Sequence, residues 1–472
     1  MSSTVPCKRP PSDDGGTGDA GGTGPAAAAP PDAPAAAAAA TASRPTRPGK
    51  RPPPKSRKLR DAVNSDPPVF FFENGLRKVR PYQYVYQTYA KQRWLGMTIF
   101  QVFEKEFHDR PVEFYRRAIQ SGHITVNGNK VALDYVVKNS DLIENGIHRH
   151  EPPVTDSPVT IVHRSDKVLI LSKPSSIPVH PTGRYRHNTV LHILQYEHNI
   201  PALFPINRID RLTSGLLLMA LDKSTASSMM TEMRERQIHK TYLARVKGEF
   251  PADAVIECAE PIETVQFKVG VNIVSPTGKP CLTTFRRLSY NGLTSVVQCE
   301  PRTGRTHQIR VHLQFLGFPI ANDPVYCCSA WGDGMGRGGL DPATRDSIVQ
   351  RVTEVAFPSE EALLGDLAPG GEASAADPAQ ETQTNAAVDV APLSDDPADD
   401  CAECRLSRRD PIPEQLTIWL HSWKYSGGSG WQYETPMPDW AQPDFDGDRQ
   451  LVDRFWAHGG LWDGRAPGEF VE

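Results

Sequence analysis

Apolar residues Ile99, Phe100, Phe103 and Phe107 recur at helical spacing, which predicts a helix with one face turned towards a core. Val112, Phe114, Tyr115 and Ile119 predict a second helix after the break at Asp109-Arg110-Pro111. The period then changes. Between Ile124 and Leu133, alternating apolar residues flank Asn127-Gly128, the strongest short-range signal for a hairpin. Residues 140–160 are polar and proline-bearing, and read as a connector between domains. Beyond them, β-rich runs at Val168–Leu171, Tyr242–Val246, Thr284–Arg287 and Thr294–Cys299 alternate with helical stretches, a mixed α+β pattern. Gln415–Trp423 reads as a late strand that returns to the same core.

Composition shows how much of the 472 residues this pattern can claim. Residues 1–65 are rich in Ala, Pro and Gly and end in a basic run; they bury too little apolar surface to offset chain entropy and are expected to be disordered. Residues 354–403 hold thirteen Asp or Glu and no Lys or Arg, so residues 341–410 read as an acidic, solvated insertion. Removing those thirteen charges takes the remainder of the chain from −4 to +9, a balance that favours a polyanionic partner. The run Arg44–Arg60 adds eight basic residues without an acid, compatible with a nuclear address, an RNA tether or a solvated tail. No stretch approaches the ~18 apolar residues of a membrane span, and no apolar leader is evident, so a non-membrane, non-secreted protein is expected. Eight cysteines (Cys7, Cys258, Cys281, Cys299, Cys327, Cys328, Cys401, Cys404) make no disulfide framework in so long a chain, which suits a reducing compartment. Nucleus and cytoplasm are the expected locations. A mitochondrial address is less favoured, because Asp13, Asp14, Asp19 and Asp32 stand where transit peptides avoid acids.

Candidate chemistry begins at Asp210, a carboxylate between Arg208 and Arg211 that precedes Leu-Thr-Ser-Gly and an apolar run. Beside cations, a carboxylate stays ionised and can serve as nucleophile or base; alone, the same Asp is equally an ordinary turn residue. Three further segments change that balance: Lys173-Pro174 with His180-Pro-Thr-Gly-Arg184, Lys240–Gly248, and Thr303-Gly-Arg-Thr-His-Gln-Ile-Arg-Val-His-Leu313. In this order and spacing, from about Trp94 to Trp440, they closely resemble the RluA-type pseudouridine synthases. Asn207 before the arginine, the His180–Arg184 run and the Trp419–Trp440 segment are similar to the eukaryotic branch of tRNA pseudouridine-32 synthases.

The resemblance implies an α+β pseudouridine synthase fold, with a mixed, largely antiparallel sheet and a central RNA-binding cleft. On this reading residues 156–340 plus 411–440 form the catalytic domain and 441–472 a C-terminal tail. The two helices and hairpin, with Arg116, Arg117, Lys130 and Lys138 interspersed, resemble an S4-like RNA-binding module over residues 90–152; a ligand-free packing subdomain is the alternative. The implied activity is isomerisation of an RNA uridine to pseudouridine, in the tRNA anticodon loop at position 32; a noncatalytic RNA-binding or RNA-chaperone protein of the same fold, or a synthase acting on mRNA or mitochondrial RNA, is the alternative. It calls for no cofactor, no nucleotide and no metal, has RNA (above all tRNA) as partner, and suits a monomer. Asp210 matches the essential aspartate, Tyr242 the tyrosine that stacks on the base, and Arg310 the basic residue paired with the aspartate. Arg208 matches the arginine that enters the RNA beside the extruded nucleotide. Lys173, Arg184, Arg305, Arg211 and Lys240 are further RNA-contact candidates, as are Arg116 and Arg117; for Lys173, Arg184, Arg305 and also Arg245, plain surface charge is the alternative. The alternatives are a core strand aromatic for Tyr242 and a structural ion-pair partner for Arg310.

The remaining His and Cys residues yield no metal site at this level. His307 and His312 read as structural hydrogen-bonders. His148, His150 and Glu151 lack a fourth ligand partner and are expected to pack locally. Cys401-Ala-Glu-Cys404 needs two more ligands, and the adjacent pair Cys327-Cys328 is an unusual spacing for them. A zinc deaminase is excluded, since no His-x-Glu occurs and Asp400, not Pro, precedes the CxxC.

Overall fold

Local capping and turn chemistry set the N-terminal elements of the computed structural model, which describes residues 67–107, 111–200, 202–266, 270–356, 401, 404 and 410–460. The expected disordered tail and most of the acidic insertion lie outside these residues. Three strands come first: β1 (Phe70–Glu73), β2 (Leu76–Val79) and β3 (Tyr82–Tyr89). Helix α1 (Ile99–Glu106) starts at Thr98, whose hydroxyl accepts from Gln101 N while the Gln101 side chain accepts from Thr98 N, a reciprocal cap. Helix α2 (Val112–Ser121) follows Pro111 and stops at Gly122, left-handed at φ 89°. Their shared face buries Phe103, Tyr115 and Ile119. Strands β4 (Ile124–Val126) and β5 (Asn129–Lys130) flank Asn127 and Gly128, both at positive φ, as a tight hairpin turn demands.

The expected connector at 140–160 is corrected. Leu142–Arg149 forms β6, paired antiparallel with β3 over eight residues, and Val154–Thr155 forms β7 beside β2. The polar interior of β6 hid it: Glu144 is buried, yet it accepts from Thr125 Oγ1 at 3.1 Å, so partner strands supply what alternation lacks. The N-terminal fold also begins about 20 residues before residue 90, on a hairpin whose Asn74-Gly75 turn has the same chemistry as Asn127-Gly128.

The main sheet uses β8 (Thr160–Arg164), β9 (Val168–Lys173), β10 (Phe204–Pro205), β11 (Ser214–Ala220), β12 (His239–Lys247), β13 (Ile256–Cys258), β16 (Thr283–Tyr290), β17 (Thr294–Pro301), β18 (Leu420–Ser426) and β19 (Gln432–Glu434). A separate hairpin joins β14 (Ile262–Gln266) to β15 (Val271–Val274). The order is β13-β16-β17-β12-β18-β11-β9-β8, with β10 against β11 and β19 against β18; β11–β18 is parallel and the other pairs are antiparallel. Helices α3 (Val190–Tyr196) and α4 (Lys223–Arg234) cover opposite faces, so β9 and β11 are apolar on both sides: Leu169, Leu171, Leu217 and Met219 pack with α3, and Ile170, Leu216 and Leu218 with α4. Helix α5 (Gln308–Phe315) lies against the other half of the sheet.

The expected late strand returns to the core, displaced by a few residues: Pro413–Leu416 is a 3-10 turn, and the chain then enters the middle of the sheet as β18. Two assignments at the edges change. Helix α6 (Arg345–Ala356), at the start of the expected insertion, buries Val352 beside Trp331. Helix α7 (Gln450–Arg454), in the expected tail, puts Leu451 and then Phe455 into the main core. Both are short amphipathic pieces whose burial is settled by what they pack against.

Gly215 is where β11 meets β18. It sits at φ 102°, and a Cβ there would lie 2.2 Å from Ser422 O. Gly215→Ala is therefore expected to destabilise the protein by about 3 kcal/mol or more, read as the shift in a chemical denaturation midpoint; a variant as stable as wild type would mean that β18 does not approach β11 this closely.

Candidate active site

The loop between β10 and β11 carries Asp210 to the floor of a cleft of about 200 Å³. Thr213 N donates to Asp210 O at 3.1 Å and closes the turn, while Ile209 is buried and anchors it. Lys173 holds the same loop from below: its fully buried ammonium donates to Pro174 O at 2.8 Å and to Arg211 O at 3.0 Å. Burial, aided by the Arg211 charge, pushes the Lys173 pKa down to about 7. Lys173 is thus corrected from an RNA contact to an internal pin, its length and two carbonyl partners drawing it under the site.

Arg310, on the first turn of α5, is buried and donates from Nε and one terminal nitrogen to Asp323 at 2.6 and 2.8 Å. Burial opposes its charge, but Asp323, reinforced by Tyr326 and Asp210, holds the guanidinium protonated, with its pKa raised. Asp323 is itself buried; the Arg310 charge and the N–H groups of Val325 and Tyr326 keep its pKa depressed. The expected partner of Arg310 was Asp210. Its hydrogen-bonded partner is Asp323, because a bidentate fork aligns with only one carboxylate, and Asp210 feels the charge through space. Next to it His307, at φ 57° before the helix, faces Asp210 with Nε2 at 3.9 Å and contacts Tyr326 Oη with Nδ1 at 3.0 Å. Burial, then the Arg310 charge, lower the His307 pKa to about 4, so the ring facing Asp210 is neutral at physiological pH. His312 is buried against Thr283, Glu260 O and Cys281, a structural hydrogen-bonder.

Tyr242 enters the cleft from β12 at a bulge between Thr241 and Tyr242, which re-aims its side chain. Its hydroxyl lies 2.5 Å from Tyr425 Oη on β18, and Asn207 Nδ2 donates to Tyr425 at 3.2 Å while Asn207 Oδ1 accepts from Leu218 N at 2.9 Å. Asn207 thereby ties the aspartate loop to Tyr425 and, through the Tyr425 hydroxyl, to Tyr242. Burial, then Tyr425, raise the Tyr242 pKa well above the usual phenol range, leaving a neutral ring. Arg208, Lys240 and Arg305 also line the cleft; Arg305 is anchored to Pro280 O at 3.2 Å, and Lys240 has its pKa lowered by burial.

Other candidates fall elsewhere. Arg184 tips the two-residue turn between Thr182 and Tyr185, and Arg211 stacks over Tyr185 at 5.6 Å; neither lines the cleft. Arg116 pairs with Glu113 at 3.1 Å and lies over Phe100 at 4.4 Å, and Arg117 shares its helix α2. Arg245 is no surface charge. It is buried, donating to Thr294 Oγ1 at 2.9 Å and Gln442 O at 2.9 Å and paired with Asp448. Asp323, Tyr425 and Tyr326 are site residues that sequence reading missed, and Asn207 and His307 were noticed without these roles. Only two had a signal: Asn322-Asp323-Pro324 is turn chemistry, and His307 stands three residues before Arg310, at the start of the same helix.

A cleft edged with cations, floored by one carboxylate and walled by a strand tyrosine suits an anionic substrate, and by its sequence relatives the chain belongs to the RluA-type pseudouridine synthases, isomerases of RNA uridine. The description "RNA pseudouridylate synthase" matches residues 167–315. Human pseudouridylate synthase RPUSD2 is 43% identical over 438 residues, spanning 84% of this chain and 80% of that protein. Two relatives from Saccharomyces cerevisiae follow: the mitochondrial tRNA pseudouridine(32) synthase, 37% identical over 78% of each chain, and tRNA pseudouridine(31) synthase, 34% identical over 79% of this chain and 97% of that one.

Removing Asp323 strands a buried guanidinium. Asp323→Ala is expected to cost about 3–5 kcal/mol in denaturant unfolding, and the double variant Arg310→Met/Asp323→Leu to recover most of it. A single variant close to wild type, or a double variant no better than the single, would remove the pair from its supporting role.

Proposed function

We propose that this chain isomerises a uridine in the tRNA anticodon loop, at position 32, and that Asp210 is the reacting carboxylate. The observation that carries the reading is the charge pattern of the cleft: Asp210 is the one acid among the described residues lining it, beside Arg208, Lys240, Arg305 and Arg310. Converting uridine to its C-glycoside isomer requires breaking the N1–C1′ bond, holding and turning the free uracil, and rejoining it through C5. Asp210 attacks C1′ or removes the 2′ proton, with the Arg310 guanidinium buried beside it. The Tyr242 ring offers a face on which the detached base turns, and Asn207 and Tyr425 hold that ring in place. Arg208, exposed at the cleft, is suited to phosphate or to the gap left by a flipped nucleotide. The neutral His307 is placed to shield Asp210 without neutralising it.

The position rests on likeness. The yeast relative named for position 32 shares 37% identity, and Asn207, His180–Arg184 and Trp419–Trp440 carry the resemblance to that branch read from the sequence. Single-stranded loops present bases that can be splayed out, which suits a flipping enzyme. Position 31 is the second reading, because a relative of similar coverage carries that name. Expected locations remain nucleus and cytoplasm, with mitochondria supported by the name of one relative.

The test uses the purified full chain and anticodon stem-loops with a single uridine at either position, with pseudouridine read by mass spectrometry. The position-32 substrate should be converted, and Asp210→Asn should lower turnover by about 10²–10⁴-fold or more while RNA binding is retained. Substantial turnover by Asp210→Asn would take Asp210 out of the mechanism, and conversion confined to the other stem-loop would move the target.

A further inference from the structure

Away from the cleft, the fold gathers four side chains that the sequence keeps more than 250 residues apart: Cys401 and Cys404 stand 251 and 254 residues from His150. His148 lies near the end of β6 and His150 just beyond it; at this i, i+2 spacing both project from one side of the strand. Cys401 and Cys404 come from the CxxC at the end of the acidic stretch. Their ligating atoms all lie within 4.8 Å of one another, with Cys401 Sγ 3.3 Å from His150 Nε2, Cys404 Sγ 3.2 Å from His148 Nδ1 and 3.4 Å from His150 Nε2. This corrects two expectations. The histidines do have further ligand partners, and these are not Cys327 and Cys328, which are buried in the core among apolar residues.

We infer that His148, His150, Cys401 and Cys404 form a structural zinc site that fastens the returning chain to β6. A tetrahedral ion with Zn–S near 2.3 Å and Zn–N near 2.0–2.1 Å places its ligand atoms about 3.3–3.8 Å apart, the range the sulfur–nitrogen contacts already approach. Two thiolates and two imidazoles make a borderline-soft set that selects zinc over magnesium or calcium, and their two negative charges neutralise the ion. Four protein ligands leave no open position, so the site holds structure and performs no chemistry. Cys401 is buried and both histidines are half-buried.

The location gives the clamp a purpose. On the other side of the strand end, Arg149 donates to Gly183 O at 2.9 Å, and Glu151 accepts from the backbone N–H groups of Arg186, His187 and Asn188, each at 2.9 Å. The same short segment therefore grips the loop beside Arg211 with one side and the returning chain with the other. A few residues further on, Asp410 pairs with Lys78 on β2, a second fastening of that chain to the N-terminal sheets. Zinc release separates Cys401 and Cys404 from β6 and leaves the chain ahead of β18 held by fewer contacts.

The full-length chain, purified under reducing conditions without chelator, should carry one zinc by elemental analysis. Cobalt exchanged into the site should show tetrahedral ligand-field bands with thiolate charge transfer. Cys401→Ser and His150→Ala should each drop the zinc content to near zero. Should these variants misfold, the wild type decides: stripping zinc should raise the rate of alkylation of Cys401 and Cys404 and lower Tm, and Zn²⁺ alone should reverse both. Reduced, folded protein without stoichiometric zinc that also fails to bind added Zn²⁺ would overturn the site. So would a Cys401–Cys404 disulfide in its place, or zinc retained in both variants.

Discussion

The buried Arg310–Asp323 pair is the constraint on which the site depends. Both groups are almost wholly out of water, so each needs the other: separating them would leave a charge in a low-dielectric interior. Met in this position, combined with a hydrophobic residue at 323, would fill the same space, and the charge would be gone. What the pair supplies is a permanent cation fixed beneath a carboxylate that it does not itself bind. Asp323 spends its oxygens on Arg310 and on two backbone N–H groups, and Tyr326 then places its ring 4.9 Å from the guanidinium and its hydroxyl against His307. Asp210 keeps its oxygens for the cleft.

The second constraint is topological. Tyr242 sits on β12 and Asp210 on the loop that leads into β11, two strands that do not pair with each other; β18 lies between β12 and β11 and joins them. The strand arrives from the far side of the acidic stretch, so a long excursion separates residues that are adjacent in the sheet. Loop closure entropy grows slowly with length, which makes such an excursion tolerable if the return is secured. Gly215 lets β18 approach, Ser214 and Thr435 hold His421 from both ring nitrogens at 2.8 and 2.7 Å, and Tyr425 reaches Tyr242. The Cys/His cluster secures the same return further upstream.

Sequence reading succeeded where chemistry is local. Thr98, Gly122 and Asn127-Gly128 announce their elements because a cap or turn requires those residue types at those places. Asp210, Tyr242 and Arg310 were legible through a family resemblance, and the structure brings all three into one cleft. What could not be read was decided at a distance. The strand β6 carries Glu144 inside it because Thr125 is there to donate; Lys173 and Arg245 look like surface cations until the carbonyls that receive them are known. His148 and Cys404 have no relation in the sequence, and only the pairing of β6 with β3 and the return of the chain make them neighbours.

We propose that the cleft floored by Asp210 modifies one uridine in a tRNA anticodon loop. Pseudouridine mapping of total RNA from cells lacking the protein, rescued with wild type or with Asp210→Ala, tests it most directly. Loss of a single anticodon-loop site, in nuclear-encoded or mitochondrial tRNA, that returns with wild type alone is the result this account predicts. A profile that loses sites only outside tRNA, or an Asp210→Ala rescue equal to wild type, would contradict it.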